Sequence, residues 1–151
     1  MDSKIKETEK LFLQGYNCSQ AVFGAFAQDV GMDRETAFKL SSSFGGGMGR
    51  LREVCGAVSA MFMIAGLKYG YSLPNAGEMK AEHYKLIQQL AQKFQEQNGS
   101  IICRELLGLE KPEGNPVPEK RTEDYYQKRP CVELVKSAAG IMEEFMEGQS
   151  R

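Results

Sequence analysis

The chain holds no Gly-Lys-Ser or Gly-Lys-Thr sequence, no Cys-x-x-Cys pair and only one histidine, His83. Each absence removes a class of chemistry. Without Gly-Lys-Ser/Thr there is no Walker loop to hold nucleotide phosphates. The glycine run at 45–49 is not a dinucleotide fingerprint either, because the spacing through Gly47 and Gly49 reaches Arg52 where a third glycine is needed. The lack of Cys-x-x-Cys excludes zinc-ribbon and thioredoxin signatures, and the lack of Cys-x-x-Cys-His argues against covalent haem. A single histidine leaves no discernible Ser-His-Asp set, and any metal site would rest on sulfur.

Charge of one sign is missing as well. Lys and Arg number 19 against 20 Asp and Glu, a formal net charge of −1 with no basic block or acidic tail. That balance speaks against a nucleic-acid partner. The opening MDSKIKETEKLFLQ is charged throughout and has no apolar secretory core. The most apolar stretch, 53–67, is broken by glycines and closely flanked by charges, so no membrane insertion is expected. The expected location is the cytoplasm. Thiols there stay reduced, so four cysteines point to ligands or redox chemistry rather than to a disulfide framework.

What the chain does have is helical periodicity. At 151 residues it is long enough for one domain, 1–151, with a substantial core. The fold class is all-α, an irregular bundle of about seven helices. The spacing predicts a helix over 3–14 through Ile5, Leu11 and Phe12. A second follows Asn17, with Gln20 placed to complete a capping box, and ends near Gly31. Asp33 caps a third over 34–43. Residues 51–69 are apolar nearly all round and predict the central, most buried helix. A long amphipathic helix is expected over 75–97 with Met79, Leu86, Ile87, Leu90 and Phe94 on one face, then a short one over 101–107 capped by Ser100. Residues 108–124, GLEKPEGNPVPEKRTED, are rich in proline and charge and predict an irregular connection with a functional or spanning role. Pro130 suits the first turn of a last helix, 130–147, with Leu134, Val135, Ala138, Met142 and Phe145 facing inward.

The cysteines, Cys18, Cys55, Cys103 and Cys131, are separated by 36, 47 and 27 residues. Their local placement is more informative than their spacing. Each is predicted in the first or second turn of a helix, and each begins an apolar stripe at i+3 or i+4. Every sulfur should therefore face inward near the positive end of a helix, where free N–H groups favour thiolate over thiol. If successive helices run up and down, four thiols converge in one cluster. The alternative is that each is a small hydrophobe in the core.

With its cysteines so placed, the chain resembles a family named for its own pattern, C_GCAxxG_C_C. The element is Cys55-Gly56-Ala57-Val58-Ser59-Ala60, with Cys18 upstream in YNCSQAV and Cys103 and Cys131 downstream. Ala60 stands where the family pattern has glycine, which argues against a close ligand approach at that position. The resemblance implies a redox role, carried as a class and without an established reaction. Within that class the chain is expected to be a thiol-dependent oxidoreductase or an electron-transfer accessory, with a redox partner protein.

The loop Gly45-Gly46-Gly47-Met48-Gly49 has two readings. In one, its amides together with Arg50, Arg52 and Gly56 surround an anion or the thiolate cluster. In the other, it is a low-bulk corner between packed helices. His83 is expected to be a partly buried, hydrogen-bonded histidine rather than a base or ligand. Glu53, Glu105 and Glu133, each two residues from a cysteine, are expected to stabilise helix starts. Tyr125 and Tyr126 would line a pocket or pack on the surface. Three functions remain open on the sequence: a cysteine pair cycling between dithiol and disulfide; a four-thiolate site on Cys18, Cys55, Cys103 and Cys131 holding an iron–sulfur cluster or zinc; and a helical interaction protein with passive core cysteines. Oligomeric state is not legible.

Overall fold

The computed structural model describes residues 3–109 and 115–148. Residues 110–114, part of the expected irregular connection, lie outside it. The described residues are all-α apart from one isolated antiparallel bridge, Val54 to Ile102. The helices are α1 (Lys4–Leu13), α2 (Cys18–Phe26), α3 (Arg34–Ser41), α4 (Gly45–Met48), α5 (Gly56–Tyr69), α6 (Glu78–Asn98), α7 (Cys103–Leu106), α8 (Glu123–Lys128) and α9 (Cys131–Glu147). Of these, α4 is a left-handed turn rather than a right-handed helix, since Gly46, Gly47 and Met48 all have φ near +70°. Short 3₁₀ turns continue α2 over Ala27–Val30 and α3 over Ser42–Phe44.

The starts of α1, α2 and α3 follow from local chemistry. Ser3, Asn17 and Asp33 each accept a backbone N–H from the third residue beyond, and Gln20 returns the bond to Asn17 N–H to close the capping box. Gly31 ends the second helical segment in the left-handed conformation. Packing then selects the faces. Helix α2 lies between α1 and α5, and α9 lies along α1. Phe12, Phe23, Phe26, Met61, Ile64, Leu90, Phe94 and Met142 are buried in one shared core. The expected inward face of α9 is buried throughout: Leu134, Val135, Ala138, Met142 and Phe145.

Four local expectations are corrected. The central helix begins at Gly56 rather than near 51, because residues 46–50 and Arg52 stand at positive φ and cannot join a right-handed helix. Ser100 does not cap α7, whose N-cap is Ile102; its hydroxyl accepts from Ile102 N–H and bonds Glu105. Pro130 is the N-cap of α9 rather than its first helical residue; ahead of it the described part of the expected connection is irregular as far as Thr122, which caps α8. The first two turns of α6 are largely exposed, leaving Met79 56% exposed, whereas Leu86 and Ile87 are partly buried against the core and Leu90 and Phe94 are fully buried. His83, in the same two turns, is partly buried against Tyr71, and its Nδ1 finds no hydrogen-bond partner among the described residues.

Candidate functional site: a four-cysteine pocket

Each cysteine is placed at a helix start. Cys18, Cys103 and Cys131 are the first residues of α2, α7 and α9, and Cys55 is the N-cap of α5. Tertiary structure brings these starts together in two ways. The short segment before α5 pairs with the segment before α7: Cys55 N–H donates to Ile101 O at 2.8 Å, and Cys103 N–H donates to Glu53 O at 2.6 Å. That antiparallel clasp holds Cys55 and Cys103 side by side across 47 intervening residues. Glycines do the rest. A Cβ on Gly56 would lie 2.5 Å from Cys18 Sγ and 2.7 Å from Phe44 O, so only glycine lets the Cys18 sulfur reach the start of α5. A Cβ on Gly47 would meet Cys103 Cβ at 2.6 Å, at a φ of +72° that L side chains rarely adopt.

All four cysteines line one pocket of about 290 Å³. Cys18 and Cys131 are partly exposed to it, while Cys55 and Cys103 are buried. Gly45, Gly46, Gly49, Arg50 and Gly56 line it too; Gly47 does not, and instead packs behind Cys103. Arg52 is 6% exposed and places Nη1 3.6 Å from Cys103 Sγ. On the far wall stand Tyr125, Arg121 and Arg129. Arg121 donates to Phe12 O and to Tyr16 O, and its guanidinium lies 4.0 Å over the Phe12 ring, tying the end of the connecting segment to α1. Arg129 pairs with Glu119. Sequence reasoning did not find Arg121 or Arg129; a proline-rich stretch in a compact chain was the one signal pointing there.

The four thiols are not equivalent. Cys18 is held at about 6, well below the ordinary 9.0, chiefly because the Cys55 thiol hydrogen-bonds to it. Burial acts in the other direction and is the second influence in size; the N–H groups of Gly46, Ser19 and Gly56 add to the Cys55 bond, and the net effect is downward. One of these amides comes from the left-handed turn and two from the first turns of α2 and α5. Cys55, the donor in that pair, is pushed well above its usual range by the same bond and by burial. Burial raises Cys103 despite Arg52, and it pushes Cys131 up to about 12, with the negative charge at Cys18 adding to it and Arg129 and Tyr125 opposing. The expectation that a helix start alone favours thiolate at all four positions is therefore corrected: burial leads at Cys103 and Cys131, the bond given to Cys18 leads at Cys55, and converging donors prevail only at Cys18.

Among the described residues, no three Cys, His, Asp or Glu side chains stand in an arrangement that would hold a metal ion. The sulfurs share a pocket without forming a ligand set, so the donors as placed do not fit zinc or an iron–sulfur cluster. The glutamates near the cysteines do ordinary work: Glu53 pairs with Arg104 at 3.4 Å, and Glu133 lies 3.9 Å from Lys136. Tyr125 lines the pocket, whereas Tyr126 packs edge-on against Phe12.

Fold and site together define an all-helical protein whose four cysteines meet in one pocket assembled at helix starts. A family model, C_GCAxxG_C_C, described as "putative redox-active protein", matches residues 16–145. The chain belongs to that family, and its general role is redox. No curated protein and no solved structure matches the chain. Ala60, at the family's glycine position, is fully buried in α5 and takes no part in lining the pocket. No helix among the described residues is long and apolar enough to cross a membrane.

Proposed function

We propose that this protein is a dithiol–disulfide redox protein in which Cys18 is the attacking thiolate and Cys55 the resolving thiol. What carries the reading is the Cys18–Cys55 pair in one pocket: the Cys55 thiol hydrogen-bonds to Cys18 and lowers it to about 6, and the same bond pushes Cys55 well above its usual range. A thiol that ionises just below neutrality combines a high thiolate fraction with retained nucleophilicity. The step balances without a further reagent. Cys18 thiolate attacks one sulfur of an oxidised disulfide partner, whose S–S bond breaks and releases a thiolate. That leaving group takes the Cys55 proton, and Cys55 then attacks the Cys18 sulfur and releases the second thiolate. Two electrons pass to the partner, and the protein is left with a Cys18–Cys55 disulfide. Cys103 and Cys131 stay protonated at rest.

Alkylation of the reduced protein as a function of pH, with peptide mapping, tests this. Cys18 should react first, with a midpoint near 6. Cys55→Ala should move that midpoint toward 9, whereas Cys55→Ser, which keeps a donor, should hold it low. Mild oxidation should yield the 18–55 bond. Equal reactivity at all four cysteines, or stoichiometric iron or zinc in anaerobically purified protein, overturns the reading.

A further inference from the structure

We propose, resting on the dithiol reading above, that Cys103 and Cys131 are a second dithiol that reduces the Cys18–Cys55 disulfide from within, so that one chain passes four electrons to disulfide partners before it needs a reductant. The first pair's chemistry leaves these two sulfurs idle, yet both line the same pocket of about 290 Å³. Three features of the fold set them beside the first pair. The clasp holds the backbone at Cys103 against that at Cys55. The left-handed turn stands between Cys103 and Cys18: the Gly46 N–H bonds the Cys18 sulfur, and Gly47 packs on Cys103, where an added Cβ would lie 2.6 Å from the cysteine Cβ. Cys131 opens α9, which packs on α2, the helix that Cys18 opens. The charge on Cys18 is accordingly felt at both Cys103 and Cys131, and Cys103 is felt at Cys131. The second pair also has donors of its own. Arg52 Nη1 lies 3.6 Å from Cys103 Sγ, inside the protein, and Tyr125 hydrogen-bonds to Cys131. A guanidinium at that range favours the Cys103 thiolate once it forms, which makes Cys103 the attacking member.

The exchange balances within the chain. Cys103 gives its proton to solvent, and its thiolate attacks the neighbouring Cys55 sulfur. The 18–55 bond breaks, and Cys18 leaves as the thiolate that the Cys55 side and the amides favour. Cys131 then attacks the Cys103 sulfur, and Cys55 leaves with the proton that Cys131 gives up. Two electrons have moved: the 103–131 bond is formed, and Cys18 and Cys55 are again thiolate and thiol. The direction follows from the leaving group. Breaking the first bond releases Cys18, held at about 6, whereas both sulfurs of the second bond belong to thiols raised in the fold.

The test follows the disulfide inside the wild-type chain. Reduced protein is given one equivalent of 4,4′-dithiodipyridine at about pH 5, where scarce thiolates make internal exchange slow. It is then freed of small molecules, brought to about pH 8 without air, acid-quenched at intervals and mapped by alkylation and peptide analysis. The 18–55 bond should be present at the start and give way to the 103–131 bond, reaching about a tenfold excess of the second with no reagent present. Cys131→Ser should keep the 18–55 bond through the same treatment; the wild-type course stands alone if that variant does not fold. An 18–55 bond that persists in wild type at the higher pH overturns the relay and leaves the dithiol reading intact. Absence of an 18–55 bond from both proteins overturns both.

Discussion

Cys18 and Cys131 are each the first residue of a helix and each partly exposed to the same pocket, yet one ionises near 6 and the other is pushed up to about 12. The difference is the number of donors aimed at the sulfur. Cys18 receives the Cys55 thiol and three amides, whereas at Cys131 burial leads and the charge of Cys18 adds to it, with only Arg129 and Tyr125 opposing. Gly56 makes the first arrangement possible. Gly56→Ala would set a methyl 2.5 Å from the Cys18 sulfur and 2.7 Å from Phe44 O. Backbone cannot retreat as a side-chain tip does, so the expected cost is about 1–3 kcal/mol of stability. The same variant should raise the Cys18 alkylation midpoint, as the sulfur leaves the Gly46 and Gly56 amides. Denaturant unfolding and pH-dependent alkylation check both; an unchanged midpoint would remove glycine from the account of the thiolate.

At the scale of elements, the left-handed turn and α6 show where periodicity misleads. The turn places Gly46, Gly47, Met48, Gly49, Arg50 and Arg52 all at positive φ, four of the residues in 45–49 being glycine. That backbone delivers the Gly46 amide to Cys18 and the Arg52 guanidinium to Cys103. A glycine-rich stretch announces unusual backbone but not its direction, because glycine admits either sign of φ. Helix α6 has a continuous apolar stripe, but its first two turns are largely exposed and packing on the core begins at Leu86. Leu90→Ala, at a fully buried position, should cost about 2–5 kcal/mol. Met79→Ala, at a position 56% exposed, should stay within about 0.5 kcal/mol. Equal losses in chemical denaturation would mean that the exposed turns are packed after all.

For the whole molecule, the pocket ties redox chemistry to folding stability. Cys18 ionises near 6 when folded and near 9.0 when not, so between these values the unfolded chain holds a proton the native one lacks. Stability should rise with pH from about 6 and level off near 9. Above that, Cys55, Cys103 and Cys131, all raised in the fold, keep protons that the unfolded chain releases, and stability should fall. The melting temperature against pH should show this dome, and Cys18→Ser should lose the rise and flatten the fall. A wild-type curve that is flat between 6 and 9 would contradict the low Cys18 value.

Helix identity, the caps at Ser3, Asn17 and Asp33, the buried face of α9 and the placement of cysteines at helix starts were all legible in the residues. Each depends on neighbours within a turn or two, where side-chain type and spacing set the outcome directly. The clasp between residues 52–55 and 101–104, the approach of Cys18 to Gly56 and the arginines at 121 and 129 depend on segments far apart in the chain. No local pattern encodes such contacts. Which sulfur ionises was decided there too, because a thiol's acidity follows the donors and the solvent that folding leaves around it.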